Sequence, residues 1–165
     1  MRLHIVANAQ AYLDGQVRLA TAADQRASSL AGAFIAAATA VLAGLIAFIA
    51  AKPATLQHPY PVIAAALVTS TGFIVAAALC VLALFPTGMY LPGSRPEDWY
   101  SDIQGKRSYD DCLAEEAENS QDKIIDNKRI IERNAKLFKA GVITGMMAPV
   151  VGTAIWLTTT SSYWF

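Results

Sequence analysis

The chain has 165 residues, enough for one domain, but 55% of them are hydrophobic and only 16% charged, which is too apolar for an ordinary soluble domain. Basic and acidic residues balance at 13 each, and no nucleic-acid duplex is expected as a partner. The two cysteines, Cys80 in an apolar run and Cys112 in a charged one, give no disulfide or metal framework.

Residues 1–26 read as a helix with little to break it except Gly15. Leu3, Val6, Gln10, Leu13, Val17 and Ala20 recur at three- and four-residue steps, with Ile5, Tyr12 and Leu19 on a neighbouring line. This helix is expected to pack against the long charged helix described below, its own copies, or both. A helix lying on lipid is the rival reading, and Arg2 and Arg18 are thin positive charge for it.

Residues 27–51 and 61–85 are each 25 residues without a formal charge, and 141–160 is 20. About 20 apolar residues cross a bilayer core of ~30 Å, so three spans are expected. The first apolar run starts too late for a signal peptide and lacks a cleavage pattern after a basic leader. Gly32, Ala36, Ala40 and Gly44 form a small-residue ladder of the kind that lets helices approach closely. Lys52-Pro53 ends the first span, and Pro61 suits the first turn of the second. Thr69, Ser70 and Thr71 either bond back to their own helix, the favoured reading, or face a polar path.

Pro86 stops the second span, and 87–107 is the least regular stretch, punctuated by Pro92, Gly93, Pro96 and Gly105. It gathers Tyr90, Trp99 and Tyr100, with Tyr109 just beyond, beside Arg95, Lys106 and Arg107. Aromatics beside cations either stack a nucleobase and hold a phosphate, or settle a loop at lipid headgroups.

Ser108 followed by Asp111 reads as a helix-start cap. From there Leu113, Ala117, Ser120, Ile124, Asn127, Ile131, Asn134 and Phe138 alternate four- and three-residue steps, the seam of a coiled coil. Ile124, Asn127, Ile131, Asn134 and Phe138 are the expected oligomer interface, the asparagines fixing register and copy number. Acidic residues fill the first half of this helix, and Lys123, Lys128, Arg129, Arg133, Lys136 and Lys139 dominate the second, complementing the helix dipole. At Ala140 the charges stop with no turn signal, so the helix is expected to continue into the third span. There Gly141 and Gly145 make another small-residue step, and Pro149 a kink.

The predicted fold is therefore an all-α membrane protein forming one membrane domain over 1–165. It comprises an N-terminal amphipathic helix (1–26), spans at 27–51, 61–85 and 141–160, and a charged segment (86–140) whose long helix is continuous with the third span. Lys52 is the only formal charge between the first two spans, and none follows Thr160. The positive-inside rule then makes 1–26 and 86–140 cytoplasmic, with Tyr163, Trp164 and Phe165 anchoring the outer interface. No phosphate-binding glycine loop, His/Cys metal cluster or serine nucleophile motif occurs. His4 and His58 lie far apart, and no span holds an ionisable side chain. Neither an enzyme nor an ion-coupled transporter is expected.

Ala23-Asp24-Gln25-Arg26-Ala27-Ser28 leads into an alanine-rich span, and Leu84-Phe85-Pro86 ends the next. Trp99-Tyr100-Ser101-Asp102-Ile103 follows, and then a long helix closing on Asn134-Ala135-Lys136-Leu137-Phe138-Lys139-Ala140 before a last span. This order and layout, over nearly the whole chain, resembles the Pycsar effectors, transmembrane effectors of bacterial anti-phage signalling, and more distantly the SLATT group. The resemblance implies a protein of the bacterial inner membrane that responds to cyclic UMP or cyclic CMP from a cognate cyclase. It implies oligomerisation, damage to the membrane and abortive infection, with no cofactor. These residues hold no β-rich nucleotide-binding domain of the kind some relatives carry. A nucleotide site would then be built from helices and the 87–107 segment between subunits. Lys128, Arg129 and Arg133 are the candidates for the phosphate and Trp99 and Tyr100 for the base. Asp24 and Arg26 match an acidic-x-basic step of that family, and Arg26 joins the candidates. The alternative is a membrane-anchored scaffold whose helices recruit a cytoplasmic partner.

Overall fold

The computed structural model describes residues 2–51, 59–84, 88–94 and 96–161. The expected stops at Lys52-Pro53 and Pro86, the cation Arg95, and the expected aromatic anchor Tyr163, Trp164 and Phe165 lie outside the described residues. Among the described residues four helices form: α1 (Arg2–Ala51), α2 (Tyr60–Ala83), α3 (Tyr100–Gln104) and α4 (Tyr109–Ser161), with a 3-10 turn at Pro96–Trp99 before α3. No strand occurs among the described residues. α1, α2 and α4 are each long and apolar enough to cross a membrane.

Internal contacts divide the chain into two units. The first is Met1–Ala23 with Pro86–Arg133, and the second is Asp24–Phe85 with Asn134–Phe165. The division falls within a few residues of the last charges on α1 (Arg26) and α4 (Lys139). Both helices contribute to both units: α1 runs 50 residues, with Gly15 tolerated inside it, and α4 runs 53.

In the first unit α4 starts as its sequence predicts. The Asp111 amide donates to Ser108 Oγ at 3.2 Å, and the same hydroxyl donates to Asp111 Oδ2 at 2.7 Å. Amides at 111 and 112 also reach the Ser108 carbonyl, at 3.1 and 3.2 Å. The seam positions Leu113, Ala117, Ser120, Ile124, Asn127 and Ile131 are all buried or half-buried within the chain. α1 supplies part of that cover. Val6, Leu13 and Gln16 are buried, and Gln16 Nε2 donates to the Ile124 carbonyl at 3.2 Å. Two positions depart from the expected α1 line. Leu3 is exposed, and Gln16 is more deeply buried than Val17 beside it.

In the second unit the α4 seam keeps its step, through Asn134, Phe138, Gly141, Gly145, Ala148, Gly152 and Ile155, and none of these is exposed. Its side chains shrink because neighbouring helices come close. A Cβ added at Gly141 would lie 2.9 Å from Cys80 Sγ and 3.0 Å from the Ala76 carbonyl of α2. One added at Gly145 would strike the Phe34 ring of α1, itself stacked on Phe73 of α2 at 6.1 Å. From α2, Gly72 reciprocates, with a Cβ there 2.6 Å from that of Ala148. By contrast, the ladder Gly32, Ala36, Ala40 and Gly44 is exposed, and a Cβ at either glycine would meet nothing within 4 Å. The Thr69 and Ser70 hydroxyls donate to the Ala65 and Ala66 carbonyls, both at 2.8 Å, so they serve their own helix. Pro61 occupies the first turn of α2. Pro149 sits inside α4, which continues to Ser161.

Two glycine substitutions separate these roles. Gly141→Leu overpacks a backbone contact and should destabilise the protein by about 1–3 kcal/mol. Gly44→Ala should be neutral or slightly stabilising. Thermal unfolding in detergent micelles measures both, and equal losses would contradict the packing described.

Candidate functional site

Polar groups concentrate inside the first unit. Of the buried polar residues among those described, Gln16, Glu116, Ser120 and Asn127 lie there and Ser70 lies in the second unit. The buried apolar set of the first unit is small, with Val6 and Leu13 from α1 and Cys112 and Leu113 from α4. Asn127 is wholly buried and clasps one residue of the 88–94 segment. Its Oδ1 accepts from the Tyr90 amide and its Nδ2 donates to the Tyr90 carbonyl, each at 2.9 Å. Both backbone groups of Tyr90 are thereby satisfied although that residue belongs to no helix. Gln16 Oε1, Ser94 Oγ and Ser120 Oγ are buried without a partner among the described residues, and each such group costs stability that a fully paired core would keep.

A second polar arrangement joins α3 to α4. Lys106 takes a left-handed conformation (φ 50°) directly after Gly105, and the Arg107 amide reaches back to the Asp102 carbonyl at 3.1 Å. This is the Schellman closure of a helix, with lysine at the position glycine usually takes. It delivers the Arg107 guanidinium to Glu115 Oε2 at 2.6 Å and Asp102 Oδ1 at 2.9 Å. Hydrogen bonds to Glu115 and then Asp102 raise the Arg107 pKa further above its usual value, so the cation is permanent. Burial, with Asp102 beside it, pushes the Cys112 thiol up.

The residues expected to hold a nucleotide are placed as follows. Lys128 lies 3.9 Å from Glu132, and Arg129 bonds Asp126 at 3.1 Å; both are surface pairs within α4. Arg133 is exposed and makes no ion pair or hydrogen bond among the described residues. Trp99 is half-buried and Tyr100 exposed. No bond or ring contact among the described residues links either aromatic to Lys128, Arg129 or Arg133. Arg26 is exposed and belongs to the second unit. Of the expected interface residues, Ile124, Ile131, Asn134 and Phe138 are half-buried by their own chain, and Asn127 is spent on Tyr90. No pattern in the sequence pointed to the Tyr90 clasp or the Arg107 bridge, because both join residues of different elements.

A groove of about 380 Å³ in the second unit is lined by Val41 of α1, Val62, Ala65, Ala66 and Thr69 of α2, and Pro149, Gly152, Thr153 and Trp156 of α4. The hydroxyls of Thr69 and Thr153 both donate to backbone carbonyls of their own helices, which leaves an apolar lining suited to hydrocarbon rather than to a charged ligand. Among the described residues no cluster of three metal-ligating side chains occurs. Compared with protein-family models, curated proteins and solved structures, the chain matches none.

The clasp carries a test. Asn127→Leu removes both bonds and leaves the Tyr90 amide and carbonyl unpaired, a loss of about 1–3 kcal/mol for each group that stays buried. The substitution should lower the unfolding midpoint and open 88–94 to protease. Unchanged cleavage would mean that the clasp does not hold this segment.

Proposed function

We propose that this protein is a cyclic-nucleotide-responsive, homo-oligomeric membrane effector that impairs the bacterial inner membrane, as its resemblance to the Pycsar effectors implies. The observation that carries the reading is that α1 and α4 each run from a polar-cored unit into an apolar one. A ligand that shifts α1 against α4 in the first unit acts on the same two helices that supply spans in the second. The polar core suits that role. Among the described residues it holds few buried apolar side chains and three buried polar atoms without a partner, so its resting arrangement is not deeply stabilised.

Magnitudes constrain the ligand step. Moving a resting state from about 1:99 to 99:1 needs a preference of ~5.5 kcal/mol for the active state. One cyclic mononucleotide, with a single negative charge and a flat base, supplies ~1–3 kcal/mol from each charge-assisted bond or stack. Several nucleotides per oligomer meet the requirement. Lys128, Arg129 and Arg133 are the proposed phosphate contacts, and Trp99 or Tyr100 the proposed base contact.

Liposomes containing only this protein should release dye when cyclic UMP or cyclic CMP is added. Arg133→Glu should raise the nucleotide concentration required by about tenfold or more, the effect of losing a bond to a charged group. Release from no nucleotide in a panel, with the protein inserted, would favour the scaffold reading. An unchanged response in Arg129→Glu and Arg133→Glu would place the site elsewhere.

The proposed topology has the N-terminus and the charged part of α4 in the cytoplasm and the C-terminus outside. A reporter fused after Phe165 should behave as external. Cytoplasmic activity of that reporter would overturn the three-span arrangement.

A further inference from the structure

In the first unit α1 carries two apolar lines, and the chain covers only one of them. Val6 and Leu13 are buried at 7% and 1% exposure, whereas Ile5, Tyr12 and Leu19 stand exposed at 48%, 58% and 59%. These three follow one another at seven-residue steps. Asn8, Gly15 and Ala22 fall between them on the same line, and all three are exposed. A Cβ at Gly15 would meet nothing within 4 Å, so another backbone has room to approach there. No charged residue stands on the line from 5 to 22. The nearest charges, Asp14 and Arg18, pair with each other at 2.9 Å beside it.

We propose that this line, Ile5–Tyr12–Leu19 with Asn8, Gly15 and Ala22, is a self-association surface that packs in parallel against the same line of a second copy. This rests on the oligomeric membrane reading above and names the surface it uses. Three observations select a second copy over other occupants. First, Ile5, Asn8, Tyr12, Gly15, Leu19 and Ala22 alternate three- and four-residue steps, the spacing by which one helix seats on another in a coiled coil. Second, residues 2–23 carry only Arg2 and Arg18 as basic side chains, with Arg18 paired, so little draws this face to anionic headgroups. Third, α1 continues unbroken into an apolar stretch reaching Ala51. Copies inserted in one membrane therefore present the line in the same direction and at the same height. In that register Ile5, Tyr12 and Leu19 each meet their own counterpart, as a two-fold interface requires. No like charges are brought together over 5–22. The line spans about 26 Å of helix at 1.5 Å per residue, which is small beside a standard protein interface. Confinement and common orientation in the bilayer lower the association cost that a patch of this size meets in solution.

Cysteine scanning of the full-length protein in membranes tests this. In a background of Cys80→Ala and Cys112→Ala, Tyr12→Cys and Leu19→Cys should give oxidative dimers several-fold more readily than Thr21→Cys, an exposed position off the line. Tyr12→Glu with Leu19→Glu should weaken association about tenfold or more, as expected for unpaired charges in an apolar contact. Helix content by circular dichroism should not change, because neither residue is part of the covered core. Equal dimer yields at positions 12, 19 and 21, or oligomer size unchanged by the double glutamate variant, would overturn the proposal. Absence of dimers with quenching of a label at Leu19→Cys by brominated lipid would also overturn it, and would assign the line to lipid. Dimers on the line without nucleotide-triggered dye release would leave this interface standing and remove the effector reading. Dye release with no contact on the line would do the reverse.

Discussion

A line of side chains can face a neighbour along more than ten turns of helix only if it repeats every 3.5 residues. α4 keeps that step from Leu113 to Ile155, and no residue on it is exposed. The chemistry along the line changes with the unit. In the charged stretch it carries leucine, isoleucine, asparagine and phenylalanine with the smaller Ala117 and Ser120. From Gly141 onward it becomes Gly145, Ala148 and Gly152, small residues of the kind that let helices approach closely. One repeat thus runs through a charged and an apolar stretch, and the charges on the other faces of α4 end where the side chains on the seam shrink.

That division leaves the first unit with a thin core. Its largest wholly buried side chains are Leu13, Asn127 and Ser120, and two of these are polar. A core of this kind has small apolar stabilisation and depends on hydrogen bonds having specific partners, such as Asn127 with Tyr90 and Gln16 with the Ile124 carbonyl. Hydrogen bonds of this type specify one arrangement without burying it deeply. The second unit differs, since Gly141 and Gly72 bring α4 and α2 together close to the backbone, and Gly145 makes room for the Phe34 ring of α1. An adaptable unit and a tightly packed one therefore share two continuous helices.

The sequence made local and periodic features legible and left pairings between elements hidden. The Ser108 cap, the α4 seam, the Gly141 and Gly145 step and the helix-bonded Thr69 and Ser70 all depend on residues within four positions of one another or on a regular spacing. Asn127 was readable as a polar residue on an apolar seam, but its partner Tyr90 lies 37 residues away in a segment without periodicity. The left-handed position fell on Lys106, although Gly105 is the residue that propensity favours. That conformation places Arg107 for its bridge to Asp102 and Glu115, a pairing that composition does not encode. The two apolar lines on α1 were visible as spacing, but which of them the fold would cover was not.

The ion pairs on α4 bear on where a phosphate would be held under the proposed function. Arg129 with Asp126 and Lys128 with Glu132 are exposed pairs within one helix, a class whose net contribution is about 0–1 kcal/mol. Drawing such a cation away from its carboxylate costs little against a charge-assisted bond to phosphate. Arg107 is the opposite case. It is held by two carboxylates from different elements, and releasing it would break the link it makes between α3 and α4. Arg133, exposed and without a bond among the described residues, has nothing to give up. On the base side, stacking needs an open ring face, which the exposed Tyr100 offers more fully than the half-buried Trp99. Arg133 and Tyr100 are thus the pair that a nucleotide could engage at least cost to the resting fold, and the pair whose approach would have to differ between the resting and the active states.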